Sequence, residues 1–126
     1  MPIEVVAAVI EVDGRFLVTR RQAGVHLEGY WEFPGGKVHD GETRAEALAR
    51  ELREELDVHA TVSRLMLSTT HAYPEKTVVV HFYECGVAGT PRPMQGQEMR
   101  WVSRAELPSL EFPAADRALI QRLIEQ

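Results

Sequence analysis

The stretch GGKVHDGETRAEALARELREELDV, residues 35–58, changes character part-way along, from a glycine-rich opening to an acidic segment carrying leucines. Glu51, Glu54 and Glu55 stand at i, i+3 and i+4. At about 100° per residue, a helix gathers them within roughly 100° of one face. Leu48, Leu52, Leu56 and Ala45 fill the neighbouring arc and are expected to face a core. Thr43 and Glu46 make a T-x-x-E capping box at the helix start. Three acids on one face repel one another, by roughly 0.2–0.5 kcal/mol per exposed pair. One offset is the nearby arginines Arg44, Arg50 and Arg53, which would make the face a solvated one. The other is a hard divalent cation, because carboxylate oxygens suit Mg2+ or Mn2+. Gly35-Gly36 favours the second, since bare backbone can approach a ligand closely.

Outward from this stretch, Ile3–Val12 is rich in Val, Ile and Ala and reads as a buried strand. Asp13-Gly14 signals a hairpin, with Arg15–Arg20 returning. Residues 21–29 read as a loop, and Tyr30, Trp31 and Phe33 cluster just before the glycines. Val58–Thr70 and the β-branched run Thr77–Cys85 read as strands joined by a turn at Tyr73-Pro74. Residues 86–96 read as loop, and 98–102 as a short strand. Ser103 and Glu106 cap a brief helical turn. Phe112-Pro113 opens a last amphipathic helix with Ala118, Leu119, Leu123 and Ile120 turned inward. Strands and helices in this order predict an α+β chain, with helices covering a mixed sheet.

The length, 126 residues, suits one domain with a real core. A net charge of −5 without a Lys/Arg block argues against binding polymeric nucleic acid. A small nucleotide is compatible with it if a metal ion supplies positive charge. The single cysteine, Cys85, excludes an internal disulfide and reads as a buried, reduced thiol of a cytoplasmic protein. Neither a signal peptide nor a run of membrane-spanning length is visible. The five histidines show no HExxH or Cys/His spacing, which argues against zinc. Lys37 lacks the glycine and hydroxyl neighbours of a phosphate-binding P-loop.

From Gly36 the chain runs five residues to Glu42, seven more to Arg50, and on through Arg50-Glu51-Leu52-Arg53-Glu54-Glu55-Leu56-Asp57-Val58. This fixed spacing resembles the Nudix box, and the likeness extends over nearly the whole chain to the compact MutT-type Nudix hydrolases. One position departs: the usual glycine near the end of the box is Asp57. Asp tolerates the left-handed conformation of a helix C-cap better than most residues, so the expected cost is small. The resemblance implies an α-β-α sandwich around a mixed sheet, with residues 1–126 forming one Nudix domain. It implies metal ligation (Mg2+, with Mn2+ as substitute) by the Gly35 carbonyl, Glu51, Glu54 and Glu55. A further acid is expected from the loop before the last strand, where Glu98 is the best match and Gln95 a rival. Arg50 is expected to orient a carboxylate, with Glu54 or Glu98 as the base. Arg21 and Lys37 fall at phosphate positions. Val5, Phe33, Tyr73, Lys76 and Val78 fall at nucleoside positions, and Asp116, in the run Phe112-Pro113-Ala114-Ala115-Asp116, at the base-reading position. An ionised Asp only accepts hydrogen bonds and suits the amino edge of cytosine; a protonated one also suits an oxidised guanine.

The implied reaction is hydrolysis of 8-oxo-dGTP or a cytosine nucleoside triphosphate to the monophosphate and pyrophosphate, which sanitises the nucleotide pool and so serves DNA repair. The rivals are a Nudix hydrolase of ADP-ribose or dinucleoside polyphosphates, and a Nudix-like module that binds nucleotide without cleaving it. Retention of every box glutamate weighs against the last. Neither a monomer nor a homodimer is excluded.

Overall fold

The computed structural model describes residues 2–126. Its first sheet is mixed. Strand β1 (Ile3–Val9) lies at its centre, antiparallel to β5 (Gly35–Lys37) on one side and parallel to β7 (Thr77–Ala88) on the other. Strand β6 (His59–Ala72) closes the order β5-β1-β7-β6 as a long hairpin with β7. A second, antiparallel sheet joins β2 (Glu11–Val12), β3 (Arg15–Arg20), β4 (Trp31–Glu32) and β8 (Met99–Ser103), with β3 pairing all three others. Helix α1 (Arg44–Leu56) and helix α2 (Arg117–Ile124) complete the elements, with 3-10 turns at Arg104–Ser109 and Ala114–Asp116.

The alternation of β1 shows why the layers stack as they do. Val6 and Ala8, with Ile10 just beyond, pack on Leu48, Leu52 and Leu56 of α1. Val5, Ala7 and Val9 belong to the opposite core, with Phe33, Phe82 and Leu119 and Leu123 of α2. Successive side chains of a strand leave on opposite faces, so an apolar run covered on both sides builds two cores at once. The result is an α-β-α sandwich around a mixed sheet. Among the described residues no helix is long and apolar enough to cross a membrane.

Helix α1 starts as the capping box requires. The Glu46 amide donates to Thr43 Oγ1 at 3.1 Å, and the Thr43 amide to Glu46 Oε1 at 2.8 Å. It ends on Asp57, which is left-handed at φ 56° and ion-paired with Arg92. Several sequence expectations need correction. Gly35-Gly36 is a strand rather than a loop, because its backbone pairs with Val6 and Ala7 of β1. The first strand breaks at Ile10. Ala45 is exposed and Ala47 takes the core position, since the first turn of α1 buries nothing. Ala118 is likewise exposed, leaving Leu119 and Leu123 as the buried residues of α2.

The Asp57 cap generates a stability prediction. A non-glycine residue in the left-handed region costs roughly 1–2 kcal/mol, and an exposed ion pair returns about 0–1 kcal/mol. Asp57→Gly should therefore stabilise the protein by about 1 kcal/mol, which a urea unfolding midpoint would report with unchanged slope. A lower midpoint would show that the Arg92 pair outweighs the strain.

Candidate active site

Gly36 brings α1 against β5, and Gly35 brings β5 against β1. A Cβ on Gly35 would stand 2.0 Å from the Val6 carbonyl oxygen, and one on Gly36 would stand 2.4 Å from the carboxyl carbon of Glu51. Only a bare backbone leaves room there for the glutamate. Arg50 then fastens the arrangement. Its Nε and Nη2 donate to both oxygens of Glu42, at 2.7 and 3.0 Å. Nη1 donates to Glu51 Oε1 at 2.9 Å, and Nη2 to the Lys37 carbonyl at 3.1 Å. Glu54 Oε2 lies 3.6 Å from the same guanidinium. The bidentate bonds from Arg50, with the His39 amide, hold the Glu42 carboxyl down at about 2.

Glu55 differs from its neighbours. Burial, the hydrogen bond with Glu51, and the charges of Glu51, Glu32 and Glu54 push its carboxyl well above the usual carboxylate range. Among the described residues no cationic side chain is ion-paired with it: Arg50 engages Glu42, Glu51 and Glu54, and Arg21 engages Glu32. No three acidic or histidine side chains among the described residues already form a closed metal shell. The donor set nonetheless fits a hard divalent cation. It offers carboxylate oxygens at the end of a glycine strand and one part-buried carboxyl, Glu55, that no basic side chain among the described residues pairs with.

Beside the acids lies a cavity of about 300 Å³. Val5, Phe33, Tyr73, Val78, Lys76 and Asp116 all line it, as do Gly35, Lys37 and Arg21. Phe33 stacks on Phe112 at 5.4 Å and meets Phe82 edge-on at 6.1 Å, giving the cavity an aromatic wall. Asp116 is 7% exposed. Burial pushes its carboxyl up to about 7, Glu32 adds to the rise and Arg21 opposes it. A second cavity of about 200 Å³ shares Gly35, Arg21 and Glu32 with the first and adds Glu55, Gln95 and Gln97. Arg21 thus faces both cavities. Its Nη1 donates to Glu32 at 2.8 Å and its Nε to the His26 carbonyl at 2.5 Å.

Glu98 is not brought to the acids. It pairs with Arg20 at 3.3 Å and Arg100 at 3.5 Å, half-exposed, and Arg100 in turn lies over the Trp31 ring. Alternation at the entry to β8 explains this: Gln97 turns inward and Glu98 outward. Gln95, the rival position, does line the second cavity. Two other residues escaped the sequence reading. Glu32 lines both cavities, and burial raises its carboxyl. Its signal was an acid set between Trp31 and Phe33 beside the glycines. His26 lines the larger cavity, edge-on to Tyr73 at 5.0 Å, with a buried Nε2 that has no hydrogen-bond partner. Nothing in its loop context marked it.

The family model described as the NUDIX domain matches residues 5–122. The chain belongs to the Nudix family. It is 40% identical over 114 residues to the CTP pyrophosphohydrolase of Escherichia coli K12, covering 90% of this chain and 83% of that one. It is 37% identical over 126 residues to the 8-oxo-dGTP diphosphatase of Haemophilus influenzae, covering 98% and 93%. Among solved structures, the E. coli ORF135 protein superposes with a TM-score of 0.86 at 36% identity, over 98% of this chain and 89% of that one. The MutT Nudix hydrolase of Burkholderia pseudomallei does so with 0.87 at 28%, over 96% and 97%. This Nudix chain is therefore an enzyme, a hydrolase, and Nudix hydrolases generally need divalent metal ions.

The raised carboxyl of Glu55 generates a prediction about cation binding. Its folded-state value is raised above the ordinary 4.5, so the folded protein holds a proton there at neutral pH that the unfolded chain has lost. A cation held by Glu55 would displace that proton. Mg2+ affinity should rise with pH through the neutral range, and binding should release up to about one proton per site. Calorimetry in buffers of different ionisation enthalpy would measure the release, and Glu55→Gln should abolish it. Release-free binding by the unmodified enzyme would contradict the assignment.

Proposed function

We propose that this chain acts as one MutT-type domain that hydrolyses a nucleoside triphosphate, 8-oxo-dGTP or a cytosine nucleotide, to the monophosphate and pyrophosphate. The observation that carries the reading is the convergence of a base-sized cavity, the cavity-lining Arg21 and the acid helix on the single strand Gly35–Lys37. The base would lie against Phe33 with its edge toward Asp116. Arg21, held by Glu32 and the His26 carbonyl, would pair with the phosphate chain, and neither Lys37 nor Lys76, both lining the cavity, is ion-paired among the described residues. His26 Nε2 is a free donor or acceptor for the same ligand.

Gly35, Glu51, Glu54 and Glu55 would hold Mg2+ or Mn2+. When bound, the ion supplies charge neutralisation for the phosphates and activation of water. Water adds at phosphorus, the anhydride between the α- and β-phosphates breaks, and a carboxylate takes the proton. Glu54 suits that role better than Glu98, since Arg50 holds it beside Glu51 while Glu98 is turned away. Cys85, buried and with its thiol pushed up to about 12, is an inert thiol suited to the reducing cytoplasm, where the nucleotide pool lies.

Glu51→Gln and Glu55→Gln should each lower kcat by roughly a hundredfold or more while leaving the unfolding midpoint close to that of the parent. Pyrophosphate release from 8-oxo-dGTP, CTP, dCTP and ADP-ribose, with and without Mg2+, checks this and separates the rivals. Cleavage of ADP-ribose alone would favour the other hydrolase class, and binding without release would favour a nucleotide-binding module.

Base choice should depend on pH. Near neutrality Asp116 is partly protonated; as pH rises it ionises and becomes a pure acceptor. The ratio of kcat/KM for cytosine over oxidised-guanine substrate should climb between about pH 6 and about pH 9. Asp116→Asn should flatten that ratio and favour the oxidised guanine. A flat profile in the parent enzyme would remove Asp116 from the base edge.

A further inference from the structure

The last turn of α1 is held from outside the helix. Four carbonyls at a helix C-terminus lack intrahelical partners and must find donors elsewhere. Here the segment after β7 supplies them. The Arg92 amide donates to the Leu56 carbonyl at 2.9 Å, and the Met94 amide to the Glu55 carbonyl at 3.0 Å. One side chain joins this latch: Gln97 Nε2 donates to the Glu55 carbonyl at 3.1 Å. The other end of the same amide, Oε1, accepts from the Gln95 backbone N–H at 2.9 Å. The Gln95 carbonyl in turn accepts from Gln22 Nε2 at 2.9 Å, just past the end of β3. Gln97 is 7% exposed, and a buried amide is kept only where its bonds are made. Gln95, Gln97, Gln22 and Glu55 line the same small cavity.

We infer that Gln97 is a positioning residue for hydrolysis: its amide bridges the turn of α1 that carries Glu55 to the 92–97 segment, and so sets where Glu55 and Gln95 stand in the second cavity. The inference rests on the hydrolase reading only for its kinetic consequence. Its geometric content, a side-chain bridge between two segments, holds whatever the substrate.

The test compares Gln97→Met, which keeps length and volume but makes neither bond, with Arg92→Ala, which removes only the exposed pair with Asp57 at the outer end of the latch. Three readouts are taken on the full chain. With 8-oxo-dGTP and CTP as substrates, Gln97→Met should lower kcat about tenfold with KM changed less than about twofold, whereas Arg92→Ala should leave both within about twofold. The Mg2+ dissociation constant, measured by calorimetry without nucleotide, should rise at least about threefold for Gln97→Met only. Backbone hydrogen exchange of the metal-free protein should find the Met94 and Gln95 amides protected in the parent and at least about tenfold faster in Gln97→Met. Unprotected Met94 and Gln95 amides in the parent would overturn the bridge outright, even if Gln97→Met proved unable to fold. Equal kinetic and Mg2+ losses in the two variants would reduce Gln97 to a general structural role and overturn the positioning. Failure of the parent to hydrolyse either nucleotide would instead strike at the proposed function, leaving the exchange and Mg2+ readouts to decide on Gln97.

Discussion

The close approach of α1 to β5 governs the rest of the molecule. A glutamate-rich helix packs against a sheet only if its charges are taken up, and here they are taken up at a strand that has no side chains for two residues. Gly36 makes room for the Glu51 carboxyl, and Arg50 ties that carboxyl to Glu42 and to the Lys37 backbone. The leucines on the other arc of α1 are then free to close one of the two cores over β1. Stability and chemistry thus meet in one contact: the glycines that allow the helix to dock also place its acids beside the cavity.

Charge is distributed unevenly around that contact. Among the described residues Glu42, Glu51, Glu54 and Glu32 each pair with an arginine, and Glu55 does not. Asp116 is buried with only the more distant pull of Arg21 against it. Three carboxyls are thus raised by burial, and of these Glu32 alone is paired with an arginine among the described residues, leaving Glu55 beside the helix acids and Asp116 in the larger cavity. In a rigid scaffold such groups are usually where binding is decided, because ligand contact repays the desolvation that folding imposed.

Much of this was legible in the chain. The capping box, the acid spacing, the Asp13-Gly14 hairpin and the strands Arg15–Arg20 and Thr77–Cys85 are local patterns, and local patterns survive folding. The residues that the resemblance assigned to nucleoside contact, from Val5 to Asp116, line one cavity. What escaped depended on partners distant in sequence. Gly35-Gly36 is a strand only because β1 lies alongside, which no glycine pair announces. Glu98 and Gln97 are adjacent, and which of them faces inward is a question of strand phase, fixed by the pairing of β8 with β3. Glu32 looked like one polar residue in an aromatic run, and His26 like one polar residue in a loop; burial, which depends on the whole chain, gave each its character.

The parallel pairing of β1 with β7 also bears on how the chain reaches this state. Ile3 aligns with Val78 and Val9 with Glu84, so during synthesis the central strand emerges well before the neighbour it pairs with. The hairpin β6–β7 closes a short loop, whereas the pairing of β1 with β7 closes a long one and costs more chain entropy. Until then the run Val5-Val6-Ala7-Ala8-Val9-Ile10 is bare, uncharged and free of proline, the kind of segment that pairs with copies of itself. The strand that holds the two finished cores together is, while unpaired, a segment suited to aggregation.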